Sequence, residues 1–166
     1  NIYYQILKVK NYLEQNGLKR YYFMMRIMGL DLGTKRIGVA VSDESGITAQ
    51  PVGVINRVSA EKDLAGLIEL VEKFEVSGII VGLPVNMNGT MGEKSQAALR
   101  FRERLAGKTG LPVGVWDERL STAAVNRVLI DGDISRAKRK GVVDKLAAAY
   151  ILQGYLDSLS TGPSGR

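Results

Sequence analysis

The stretch that most constrains this chain is Arg26-Ile-Met-Gly-Leu-Asp31-Leu-Gly-Thr-Lys-Arg36-Ile-Gly-Val-Ala-Val-Ser42. Two apolar runs flank a tight Gly-Thr-Lys-Arg link, the pattern of a β-hairpin. Asp31 falls where the first strand gives out. A carboxylate in an apolar strand is costly unless a metal ion, a cation or several hydrogen-bond donors compensate it. The partner must come from elsewhere in the chain.

Composition narrows what that partner can be. The chain contains neither cysteine nor histidine. Disulfides, thiolate zinc sites, Cys nucleophiles, Ser-His-Asp triads and His bases are therefore excluded. Acid–base or metal chemistry is left to Asp, Glu, Lys, Tyr and water, and hard oxygen ligands point to magnesium or manganese. The formal net charge of +6 favours anionic partners, nucleic acid first. At 166 residues the chain suits one domain and is short for two. No apolar stretch is long enough to span a bilayer and no secretory signal pattern is evident, so a cytoplasmic location is the expectation.

Residues 1–25 differ from the rest. They hold five of the seven tyrosines and half of the net charge, with Ile2, Ile6, Val9 and Leu13 at helical spacing. They read as a helical extension packed on the domain, or as a stretch upstream of a natural start at Met24 or Met25. A basic helix rich in tyrosine also suits nucleic-acid contact. After the hairpin, 43–46 is a turn and 47–55 an extended stretch interrupted at Pro51, as in an edge or bulged strand. A helix over 60–74 follows, with Ser59 as its N-cap. Then come a buried strand over 77–82, a loop over 83–92, a helix over 93–107 and a strand over 111–116. A helix from Ser121 or Thr122 to about Ile130, a basic link over 131–141, a helix over 142–156 and a tail from Leu159 complete the chain. This order predicts an α/β domain over 26–158. Its sheet is mixed and five-stranded, three strands antiparallel and two parallel, with helices on both faces.

Two strands end in carboxylates: Asp31 after the first and Asp117-Glu118 after the last. Sites in open α/β sheets gather at such strand ends, beside a switch in strand order. A third acid, Asp144, lies near the start of the final helix. Taken singly, Asp144 reads as a first-turn acid favoured by the helix dipole, and Glu118 as a surface acid beside Arg119. Converging, three acids would hold one or two divalent ions. Two ions roughly 3.5–4 Å apart activate a water and stabilise the leaving oxygen of a phosphoryl displacement. Lys35, Arg36 and Arg119 lie beside these acids, and Arg136, Lys138, Arg139 and Lys140 crowd the link before Asp144. These are candidate phosphate contacts, although a run of charge is commonly a solvated loop. Asn86 and Asn88 follow a strand end and are suited either to sugar or phosphate binding or to plain turn chemistry.

Gly29-Leu-Asp-Leu-Gly-Thr-Lys-Arg-Ile-Gly-Val-Ala40, Val81-Gly-Leu-Pro-Val-Asn-Met-Asn-Gly89, Asp117-Glu-Arg-Leu-Ser-Thr122 and Lys140-Gly-Val-Val-Asp-Lys-Leu-Ala-Ala-Ala149 resemble the YqgF (RuvX-like) family over about 26–157. Its members are described as Holliday-junction resolvases and as the nuclease maturing the 5′ end of pre-16S ribosomal RNA. The resemblance implies an RNase H-like fold and a magnesium- or manganese-dependent endonuclease, with Asp31, Glu118 and Asp144 as metal ligands. Asp31 would bridge two ions. Pre-16S rRNA or branched DNA would be the partner, with ribosomal precursor particles a further one. A monomer suits rRNA trimming and a homodimer a symmetric junction. Two other classes share features with this chain. Actin- and Hsp70-like ATPases carry a similar hairpin but use two such domains. A non-catalytic RNA-binding factor in ribosome assembly or transcription would not need all three acids.

Overall fold

Strict alternation along the hairpin decides how the sheet is covered. Strand β1 (Arg26–Leu32) sends Met28 and Leu30 to one face and Ile27 to the other. Strand β2 (Arg36–Ser42) sends Ile37, Val39 and Val41 to the first face and Ala40 to the second. Because successive side chains of a strand point oppositely, two apolar faces need two covering layers. The chain supplies them. The structure, a computed structural model, describes residues 26–86, 88–118 and 136–160, with side chains over 146–159 in the last segment. The extension over 1–25, the helix expected over 121–130 and the tail beyond 160 lie outside the described residues.

β1 and β2 pair antiparallel with Asp31 opposite Gly38. Strand β3 (Ala49–Asn56) pairs antiparallel with β2 and forms the sheet edge. The register shifts beside Pro51, so the residue that cannot donate sits at an edge-strand irregularity, as its chemistry requires. Helix α1 (Ala60–Lys73) follows, its N-cap Ser59 accepting from the Lys62 N–H at 3.3 Å. Strand β4 (Val76–Leu83) runs parallel to β1. Helix α2 (Glu93–Thr109) ends at Gly110, which takes the left-handed conformation (φ 68°) that glycine adopts without steric cost. Strand β5 (Val113–Asp117) runs parallel to β4, giving the order β3-β2-β1-β4-β5. The mixed five-stranded sheet is the one the sequence predicts.

Helix α3 (Arg136–Ser160) closes the second face. Leu64 and Leu67 of α1 and Phe101 and Leu105 of α2 complete the core on the first face. Ala148, Ile151, Leu152 and Tyr155 of α3 pack on the second face against Ile27, Ala40 and Ile80. A side chain at Gly29 would bring its Cβ within 2.6 Å of Leu152 Cβ, so this glycine sets how closely α3 lies on β1.

Two boundaries differ from expectation by more than two residues, both in α3. Residues 136–141 belong to α3 rather than to a basic link: Lys and Arg are good helix formers, and one glycine costs a helix only about 1 kcal/mol. At the other end, Leu159 is helical and packs against the second-face core, because it continues the apolar stripe one turn beyond Tyr155.

Candidate active site

The strand ends gather the acids. Asp31 is the penultimate residue of β1 and shares strand parity with Ile27 and Gly29, hence the α3 face. Glu118 immediately follows β5, and its N–H donates to the Leu83 carbonyl of β4 at 3.2 Å, extending the ladder by one bond. β4 lies between β1 and β5 and contributes Gly82 at this level, opposite Trp116. A Cβ at Gly82 would stand 2.6 Å from Glu118 Oε1 and 2.6 Å from Ile151 Cδ1. The Glu118 side chain therefore occupies the space that any other residue at 82 would fill, reaching over β4 on the α3 face.

Electrostatics report the same gathering. Burial pushes the Glu118 carboxyl up, and the neighbouring charges of Asp31 and then Asp117 add to the rise; the Lys94 ammonium opposes it. The result is a pKa of about 7, against 4.5 for an ordinary glutamate. A crowded set of carboxylate oxygens with excess negative charge fits a hard divalent cation, which would relieve the repulsion that raises Glu118. Among the described residues no group of three acidic side chains gathers at one point. Asp144 falls inside α3 one turn before Ala148, with its side chain outside the described residues.

The expected phosphate contacts separate into three sets. Lys35 is exposed in the β1–β2 turn, and Arg36 is half-buried at the start of β2. Arg119 and the side chains of Arg136, Lys138, Arg139 and Lys140 lie outside the described residues, although the backbone puts the latter four in the first turns of α3. Asn86 and Asn88 fold their loop onto itself. Asn86 Nδ2 donates to Thr90 Oγ1 at 2.9 Å, and Asn88 Oδ1 accepts from the Thr90 N–H at 3.1 Å and from Thr90 Oγ1 at 2.7 Å.

Sequence reasoning missed Lys94. It stands exposed in the first turn of α2, where the helix dipole disfavours a cation, yet its charge reaches Glu118. That conflict with the dipole was the available signal.

The family model for RuvX, described as a Holliday junction resolvase, matches residues 25–158. The chain belongs to the RuvX family. RuvX relatives include a protein of Symbiobacterium thermophilum, 57% identical over 139 residues, which span 84% of this chain and 96% of that one. Another, from Desulforamulus reducens, is 54% identical over 134 residues, spanning 81% and 98%. Both carry the name "Putative pre-16S rRNA nuclease". Among solved structures, Thermus thermophilus RuvC in complex with a Holliday junction substrate superposes with a TM-score of 0.55 at 18% identity, over 83% of this chain and 97% of that one. Fowlpox virus resolvase with junction DNA gives 0.50 at 16% identity, over 81% and 99%. These likenesses establish for this RuvX member the RNase H-like fold of the resolvases. Its family is one of enzymes that cut phosphodiester bonds.

Proposed function

We propose that this chain is a metal-dependent endonuclease acting in 5′-end maturation of pre-16S rRNA, in the cytoplasm. The observation that carries the reading is the Glu118 carboxyl lying over the bare backbone of Gly82 and pushed up to about 7 by burial and by the nearby charge of Asp31. The names of relatives more than half identical to it support RNA as the substrate.

Asp31, Glu118 and Asp144 would hold magnesium or manganese, two ions being the expected number. Residue 144 supports this by its register: it lies four residues before Ala148 and seven before Ile151, on the stripe that covers the sheet. Bound there, the ions supply water activation and stabilisation of the leaving oxygen. The chain's own groups prepare the site. Glu118 holds a proton below about pH 7 and gives it up when a cation takes its place. Lys35 and Arg36, with Arg119 and the basic first turns of α3, position the phosphate backbone; Asn86 and Asn88 sit at the rim of the same sheet end. Residues 1–25 are an appendage to this domain.

The description of the family as a junction resolvase favours a second reading, cleavage of branched DNA by a two-fold dimer. One experiment separates the two. Purified protein with magnesium or manganese is offered precursor 16S rRNA and a four-way DNA junction in parallel. Cleavage at the 5′ end of the RNA with the junction intact is expected; the reverse selectivity would overturn the RNA assignment.

A further inference from the structure

Between the β1–β2 turn, Arg57 just after β3 and the start of α2 lies a cavity of about 280 Å³ that the carboxylate site does not use. Leu32, Ala98 and Phe101 give it an apolar floor, Thr34 a hydroxyl, and Arg57 and Lys94 two cations. Leu32 is the residue after Asp31, and the Lys94 charge reaches Glu118, so the cavity adjoins the acids around the end of the sheet.

The two cations are held differently. Arg57 is fixed in place. Its Nε donates to Asp63 Oδ2 at 3.1 Å, its Nη1 donates to the Gly33 carbonyl at 2.9 Å, and its guanidinium carbon lies 6.0 Å from the Phe101 ring centre. Asp63 is itself buried and also accepts the Val58 N–H at 3.0 Å. With its charge already matched, Arg57 offers the cavity a rigid planar surface rather than a spare charge. Lys94, by contrast, is exposed and is in none of the ion pairs formed among the described residues. An apolar floor, a fixed guanidinium plane and an exposed ammonium are what an unstacked base and its phosphate require. The volume is at the small end of ligand pockets and far too small for a duplex.

We propose that this cavity takes one unpaired nucleotide of the RNA strand adjacent to the cut, its base against Arg57 and the apolar floor and its phosphate on Lys94. The inference rests on the nuclease reading and deepens it: a paired base keeps its faces covered by its neighbours and cannot enter, so the enzyme cuts where the strand is single.

The test uses the full chain without divalent metal. The probes are a short single-stranded RNA carrying 2-aminopurine at successive positions and the fully paired duplex of the same sequence. The wild type is expected to prefer the single strand and to change the fluorescence at one position. Lys94→Gln should lower the log–log salt slope by about 0.7, the value of one single-strand phosphate contact. Arg57→Lys keeps the charge and loses the plane. Its affinity should fall roughly five- to hundredfold with the slope unchanged and the fluorescence change abolished. Should Arg57→Lys fail to fold, as its melting curve would show, the exposed Lys94→Gln decides alone. Equal binding of strand and duplex, or wild-type slopes and fluorescence in the variants, would overturn the proposal. A cleavage arm with magnesium keeps the two readings apart. If the wild type cuts, Asp31→Asn does not, and both pocket variants keep the wild-type KM, the nuclease stands and the pocket falls. If the wild type does not cut, the nuclease reading falls while the binding arm still decides the pocket.

Discussion

Burial and two neighbouring carboxylates make the proton of Glu118 unusually hard to remove, and this has consequences for stability. Its pKa rises from 4.5 to about 7, so the folded metal-free protein binds this proton more tightly than the unfolded chain does. The stabilisation is complete below pH 4.5 and is lost as pH rises through 7. Metal-free melting temperatures should therefore fall from about pH 5 to pH 7.5 in the wild type more steeply than in Glu118→Gln. Equal slopes would contradict the assignment of the raised carboxyl. Asp31 was legible in the sequence because an acid in an apolar strand needs a reason. Arg57 and Lys94 were not, since their meaning depends on α1 and α2 returning beside the β1–β2 turn. Asp31→Asn should reduce magnesium-dependent cleavage at least about a hundredfold, because charge stabilisation at such sites is worth several kcal/mol. A melting curve run alongside should show the fold retained.

Strand and helix packing explains why the acids stay open to one another. Gly82 leaves β4 bare where Glu118 crosses it, and Gly29 lets α3 lie close on β1. Gly82→Ala places a methyl 2.6 Å from both Glu118 Oε1 and Ile151 Cδ1. It should cost about 1–3 kcal/mol of stability, read by denaturant titration, and more activity than that loss alone accounts for. Activity tracking stability alone would show that Glu118 does not depend on this gap. At this scale the hairpin, the edge position of β3, the Ser59 cap and the parallel strands were legible from periodicity and turn chemistry. The start of α3 was not, because Gly141 and a run of cations in 136–140 look like a loop until tertiary packing extends the helix across them.

For the whole molecule, the sheet brings together residues that the chain keeps far apart: Asp31 at one end of the domain and Glu118 near the other share one face across β4. The α/β class could be read from element order alone. The third acid and the basic first turns of α3 enter only through the backbone. As residues 1–25 fall outside the family match but for its first position, a chain beginning at Met25 should retain cleavage within a few-fold. A large loss with the fold intact would instead make the extension part of the RNA surface. The central claim is that Asp31 and Glu118 form one cation-holding pair. Calorimetric titration of manganese into the nucleic-acid-free protein at pH 6, repeated in buffers of different ionisation enthalpy, tests it most directly. Binding is expected to release close to one proton in the wild type, falling toward zero above pH 8, and Asp31→Asn and Glu118→Gln should each abolish or sharply weaken it. Manganese binding that releases no proton and survives both substitutions would contradict it.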